Sequence, residues 1–232
     1  MSKDIEKVGS HLPADLSIAE QLKRDLQMAS QGVSGSVVER IRMSAKGFTP
    51  PDGEVSDTLT GVIVDFVSSN AHYPEAFDRD NPTPPNCFAV GRIPDQMAPD
   101  ETALEPQHEN CRDCPKNQFE SGVGRAKACK NTKMLAIMAE GATDEDAPIW
   151  VLTIPPGSIR HFDTYVSTTL KAKHGLPPNA VVTEIHMDKR LDYAAPRFKH
   201  VRNLNEKELT YFWGRRPEAE AILIQKPVMA TK

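Results

Sequence analysis

Leu59-Thr-Gly-Val-Ile-Val-Asp-Phe-Val67 is the stretch on which the fold class turns. Its run of Thr, Val and Ile, closed by Phe66 and Val67, predicts a strand. Upstream, Val37 to Phe48 mixes alternating apolar residues with Arg40, Arg42 and Lys46, and stops at Thr49-Pro-Pro-Asp-Gly53, a strong turn signal. Downstream, Asn81 to Glu105 holds prolines at 82, 84, 85, 94 and 99, which excludes central sheet and predicts a loop that carries Cys87. Strands resume at Met134–Ala139 and Ile149–Ile154, divided by the acidic turn Glu140 to Asp146. Ile159, Phe162, Val166, Thr169 and Leu170 then mark one face of a helix that stops at Gly175-Leu-Pro-Pro178. Val181–Met187 and Arg197–Val201 follow as strands, and Leu204 to Tyr211 begins a last helix with Asn205 as cap and Pro217 as its break or restart. Before all of this, Leu16 to Met28 has helical spacing and is followed by the Gly- and Ser-rich joint Ser30 to Ser36.

The chemistry lies in the middle of the chain, where Cys111-Arg-Asp-Cys114 forms a C-x-x-C knuckle with Cys87 upstream and Cys129 downstream. A knuckle lets two thiolates reach one ion, and two further thiolates complete the tetrahedron of a closed structural Zn²⁺ site. A redox pair is the competing reading, but thioredoxin-like knuckles open a helix, whereas Pro115 and a turn-rich run to Gly124 follow this one. Unligated thiols are the third reading. His108 is the substitute ligand should Cys87 lie too far away. Four thiolates leave no position for water, and no H-x-E stands upstream of the knuckle as zinc deaminases require, so the ion is expected to be a staple and the protein not an enzyme.

The chain has 232 residues, 39% apolar and 26% charged, with a formal net charge of −4. These values fit a globular protein with a sizeable core. No apolar run approaches a membrane span and the first residues lack a signal peptide's apolar core, so no membrane partner and a cytoplasmic location are expected. Charge is segregated: Arg112, Lys116, Arg125, Lys127, Lys130 and Lys133 crowd the cysteine loop, while Asp95, Asp100, Glu101, Glu105 and Glu109 precede it. A local basic face is enough to contact phosphates even in an acidic protein. Aromatic residues on which bases can stack lie beside basic ones at Phe48, Phe119 and Phe198, and in the segment after the second strand at Tyr73 and Phe77. Phe66, Trp150 and Phe162 are assigned to the core.

Several short strands with one helix between the fourth and fifth predict a mainly β (α+β) fold, an OB-like Greek-key barrel with an inserted zinc-binding loop and flanking helices. An antiparallel sheet with packed helices is the alternative. The expected organisation is an N-terminal helix and joint over 1–35, the barrel over 36–204 with its zinc loop at 81–133, and a C-terminal helix and tail over 205–232.

The run Tyr73-Pro-Glu-Ala-Phe77-Asp-Arg-Asp-Asn-Pro82-Thr-Pro-Pro-Asn-Cys87, with Cys111-Arg-Asp-Cys114-Pro-Lys-Asn117, Ser121-Gly-Val-Gly-Arg-Ala-Lys127-Ala-Cys129-Lys and Leu135-Ala-Ile137, resembles a group of tailed-bacteriophage single-stranded-DNA-binding proteins. The resemblance spans about residues 40–200. It implies an oligonucleotide-binding barrel, Zn²⁺ ligation by Cys87, Cys111, Cys114 and Cys129, and Arg125, Lys127 and Lys130 on the DNA side. The group's Gly-Ser pair is reversed here to Ser121-Gly122, and the last residues, Ile-Gln-Lys-Pro-Val-Met-Ala-Thr-Lys232, carry no acidic tail of the kind that recruits replication enzymes. The expected function is sequence-tolerant binding of single-stranded DNA in phage replication or recombination. Arg42, Lys46, Lys116, Arg125, Lys127 and Lys130 would track phosphates, and Phe48, Tyr73, Phe77, Phe119 and Phe198 would stack on bases. The alternative is a zinc-ribbon adaptor that binds a replication or transcription protein without touching DNA.

Overall fold

The computed structural model describes residues 38–51, 53, 55–75 and 83–225. The expected N-terminal helix and joint, Phe77 and the last seven positions, 226–232, lie outside the described residues. Eight strands form one curled, half-barrel sheet in a mainly β architecture. They are β1 (Arg40–Ser44), β2 (Gly47–Thr49), β3 (Thr58–His72), β4 (Cys87–Gly91), β5 (Cys129–Ala139), β6 (Trp150–Ile154), β7 (Val181–Met187) and β8 (Pro196–Asn203). The sheet runs β2-β1-β6-β5-β3-β7-β8, with β4 also paired to β3, and no pairing joins β2 to β8 among the described strands. Only β1 and β6 run parallel; every other described pair is antiparallel.

β3 is the spine, because it pairs with β4, β5 and β7. A bulge between Ile63 and Asp65 resets its alternation, so that Ile63 and Phe66 both meet core residues of β5, Ile137 and Leu135. The strand also continues past the apolar run, through Ser68, Asn70 and His72, all buried. A buried polar extension of this kind is invisible to an apolar pattern.

One face of the sheet packs on α1 (Pro156–Thr164), whose chain continues as π-helical turns over Tyr165–His174 and ends at Gly175 in the left-handed conformation, φ 65°. Phe162 is fully buried there, edge-on to Phe66 at 5.0 Å and to Phe198 at 5.2 Å. The opposite face is covered by α2 (Glu206–Gly214) and α3 (Arg216–Leu223), which bury Phe212, Ala219 and Leu223. The expected C-terminal helix therefore packs on the sheet that the expected barrel region forms. Asn205 caps α2 in a reciprocal box, its Oδ1 accepting the Glu208 N–H at 3.0 Å while the Glu208 carboxylate accepts the Asn205 N–H at 2.8 Å. Pro217 lies in the first turn of α3 and restarts the helix.

Three expectations are corrected by this architecture. Cys87 does not lie in a loop: it opens β4, a short strand held between Pro85 and Pro94 that no proline interrupts. Phe48 has none of its surface exposed; β1 turns so tightly into β2 that a Cβ on Gly47, at φ 138°, would come within 2.2 Å of the Ser56 carbonyl oxygen, and Phe48 is pressed into the core. Phe198 is half-buried, pairs with Ile185 across the β7–β8 ladder, and is packed against the core by Tyr165, stacked at 5.8 Å, and Phe162, edge-on at 5.2 Å. Phe48 offers no platform to a base, and Phe198 is engaged in core packing.

Candidate metal centre and adjoining groove

The cross-strand register places His72 directly opposite Cys87 on β4 and directly opposite Cys129 on β5. Directly opposed residues share a face of the sheet, so the two cysteines and the histidine form a row. The knuckle is folded onto this row. The Cys111 N–H donates to the Met97 carbonyl at 2.8 Å, and a short 3₁₀ turn, Pro115–Asn117, follows Cys114, with the Asn117 N–H donating to the Cys114 carbonyl at 2.9 Å. All four cysteines are buried and free of disulfides, and together with His72 they line one cavity of about 10 Å³. The thiols surround this space without closing on it: among the described residues, no three His, Cys, Asp or Glu side chains are drawn together tightly enough to hold an ion.

Burial dominates the electrostatics of the cluster. It pushes the Cys129 thiol up to about 12, with the neighbouring sulfurs of Cys111, Cys114 and Cys87 adding to the effect. Cys87 and Cys111 are also raised by burial, an effect opposed by a backbone hydrogen bond at Gln107 and by the Asn70 amide respectively. Clustered buried thiols resist ionisation until a cation compensates them, which is the chemistry of a soft-metal donor set. By the chemistry of its donors, and with a closing movement of the thiols toward one another, the lining fits a thiolate-bound divalent ion.

Amides join the cluster to its surroundings. Asn117 donates to the Cys111 carbonyl at 2.6 Å and accepts from Asn131 Nδ2 at 2.9 Å and Lys127 Nζ at 3.3 Å. Asn131 also donates to Asn70 Oδ1 at 2.7 Å. Ser121 stitches the loop: its hydroxyl reaches the carbonyls of Lys116 and Gln118 and accepts the Ala128 N–H at 3.0 Å. A Cβ on Gly122 would meet the Lys127–Ala128 backbone at 2.9 Å, so the Ser121-Gly122 pair is shaped by its fit to the far side of the loop.

Beside the cluster runs a groove of about 860 Å³ between the loop and α1, lined by Phe119, Lys127, Lys130 and Asn131 on one wall and by Ile159 and Arg160 on the other. Phe119 is 76% exposed, with Lys127 Nζ 5.1 Å from its ring centroid. A second cleft of about 350 Å³ shares Lys127 and Asn131 with the groove and adds Arg112 and Lys133. Lys133 is buried on β5, where it pairs with Asp163 at 3.2 Å beneath the rings of Phe66 and Phe162.

Phe119, Lys127 and Lys130 are thus brought together. Tyr73 stands next to them through Lys130, whose Nζ lies 5.4 Å from its ring centroid. Lys116 lines the thiol cavity, and Arg125 is exposed on the loop's turn. Arg42 and Lys46 are exposed but line neither cavity; Arg42 alternates with the core residue Ile41 and leaves the sheet on the face away from α1. His108 is exposed and hydrogen-bonds locally with Asn110, away from the thiols. His72, Asn70, Asn117, Asn131 and Arg160 enter the site without having been singled out from sequence. No family model, curated protein or solved structure matches this chain.

Proposed function

We propose that this protein binds single-stranded DNA with little sequence preference, in phage replication or recombination, through the groove between the cysteine loop and α1. On this reading the curled sheet is an OB-like barrel, and Cys87, Cys111, Cys114 and Cys129 hold a structural Zn²⁺ that keeps the loop in one shape. The carrying observation is the exposed ring of Phe119 in an open groove with Lys127, Lys130 and Arg160 around it. Cations at the rim neutralise phosphates and release their counterions, while the ring takes a base of any identity on its π-face. The Lys127–Asn117–Cys111 chain of hydrogen bonds connects the groove to the thiols, so an ion there fixes the position of a phosphate-binding amine. When bound, Zn²⁺ supplies charge compensation and a cross-link between loop and sheet.

The test is an anisotropy titration with fluorescent oligo-dT across a range of salt. Three groove cations predict a log–log slope of about −2, so affinity falls roughly 100-fold between about 50 mM and about 0.5 M salt. No binding at low salt would overturn the proposal in favour of the adaptor.

A further inference from the structure

We propose that His72 is a ligand of the metal ion at the cysteine cluster, taking the place of one of the four thiolates in the set proposed above and making the donor set three sulfurs and one nitrogen. This rests on the zinc half of the function proposed above. His72 sits in the middle of the row, between Cys87 and Cys129 on the two flanking strands. At ordinary strand spacing those two Cα atoms are separated by about 9.5 Å. Both sulfurs would have to reach the same ion, at about 2.3 Å each, across the position that the imidazole occupies. His72 lines the same small cavity as all four cysteines, so an ion held there has the imidazole as a neighbour.

The ring is also prepared for the role. Asn86 Nδ2 donates to Glu105 Oε2 at 2.8 Å, and this fixes which end of the amide faces His72. That end is Oδ1, 3.0 Å from His72 Nδ1, and a carbonyl oxygen only accepts, so Nδ1 carries the proton. In the neutral ring Nε2 is then left with its lone pair. A histidine whose one nitrogen donates to a fixed oxygen, itself held by a carboxylate, has the usual orientation of a metal-bound imidazole. The backbone locks the same three residues together, the Asn86 N–H donating to the His72 carbonyl at 3.1 Å and the Glu105 N–H to the Asn86 carbonyl at 2.8 Å. His108, the histidine nearest the knuckle in sequence, has no comparable support.

The experiment is X-ray absorption fine structure at the zinc edge on the full chain loaded with Zn²⁺ alone. The expected first shell is three sulfurs near about 2.3 Å and one nitrogen near about 2.0–2.1 Å. A shell of four sulfurs at one zinc per chain overturns the assignment of His72 and leaves the DNA-binding proposal standing. Failure to take up zinc at all overturns the assignment together with the zinc half of the proposed function, and oligo-dT binding is then judged by its own titration. As a second arm, Asn86→Ala, which leaves every donor atom in place, is expected to weaken Zn²⁺ affinity about 10–100-fold in a chelator competition. Unchanged affinity would count against the orienting role and with it the ligand assignment.

Discussion

Phe48 and Phe119 are the same side chain, each near a lysine in the sequence, and they end in opposite surroundings: one has no exposed surface, the other is 76% exposed. Proximity to a basic residue did not distinguish them, because what decides is which way the local backbone turns the ring. Phe48 follows the tight turn at Gly47, while Phe119 follows the 3₁₀ turn after the knuckle. Phe119→Ala is therefore expected to cost about 1–3 kcal/mol of oligo-dT affinity while leaving the thermal midpoint unchanged, read by anisotropy and by melting on the same sample. A fall in the midpoint of several degrees would show that the ring supports the loop and is no platform. The cysteines were readable because thiol spacing is written in the chain. The place of His72 beside Cys87 and Cys129 was not, since it depends on the register of separate strands.

Among the elements, β7 matches the expected Val181–Met187 at both ends and the Asn205 cap is where composition placed it. Both depend on local rules, strand propensity in one case and capping chemistry in the other. β4 escaped because five residues between prolines resemble a loop, and an edge strand supported by one neighbour tolerates that setting. The parallel β1–β6 pairing escaped because no local pattern encodes a partner more than a hundred positions away. The β7–β8 connection carries its own clamp: Arg190, and then Arg197, hold the buried Asp188 carboxyl well below the usual carboxylate range. A depressed folded value means that the stability it contributes is present above the unfolded pKa, about 3.9, and is lost as pH falls through the lower folded value. Urea midpoints measured from neutral pH down to about pH 2 should therefore drop more steeply for the native chain than for Asp188→Asn, whose hairpin lacks the titrating group. Parallel acid limbs in the two proteins would contradict this.

At the scale of the whole molecule, the sheet has a core of its own, centred on Phe48, Leu135, Leu152, Ile154 and Phe162, and does not rely on the thiols for its hydrophobic burial. The loop from Gly91 to Cys129 has little comparable core, its main buried apolar contact being Met97 with Ala89 and Cys111. Chelation is therefore expected to abolish oligo-dT binding and to lower the melting temperature, with protection from amide exchange lost first along the 94–128 segment and at the His72 end of β3. Full binding by metal-free protein would refute the stapling role. No helix among the described residues is long and apolar enough to cross a membrane. Cys87 and Cys129 are the first residues of their strands, so two corners of the cluster are pinned by the sheet and owe nothing to the chain between Cys114 and Cys129. What that interval does contribute is confined to the knuckle side, where Asn117 and Gln118 hold the Cys111 and Cys114 carbonyls, so changes of length or charge in its exposed stretch, Val123 to Ala126, leave both strand-borne corners where the sheet puts them.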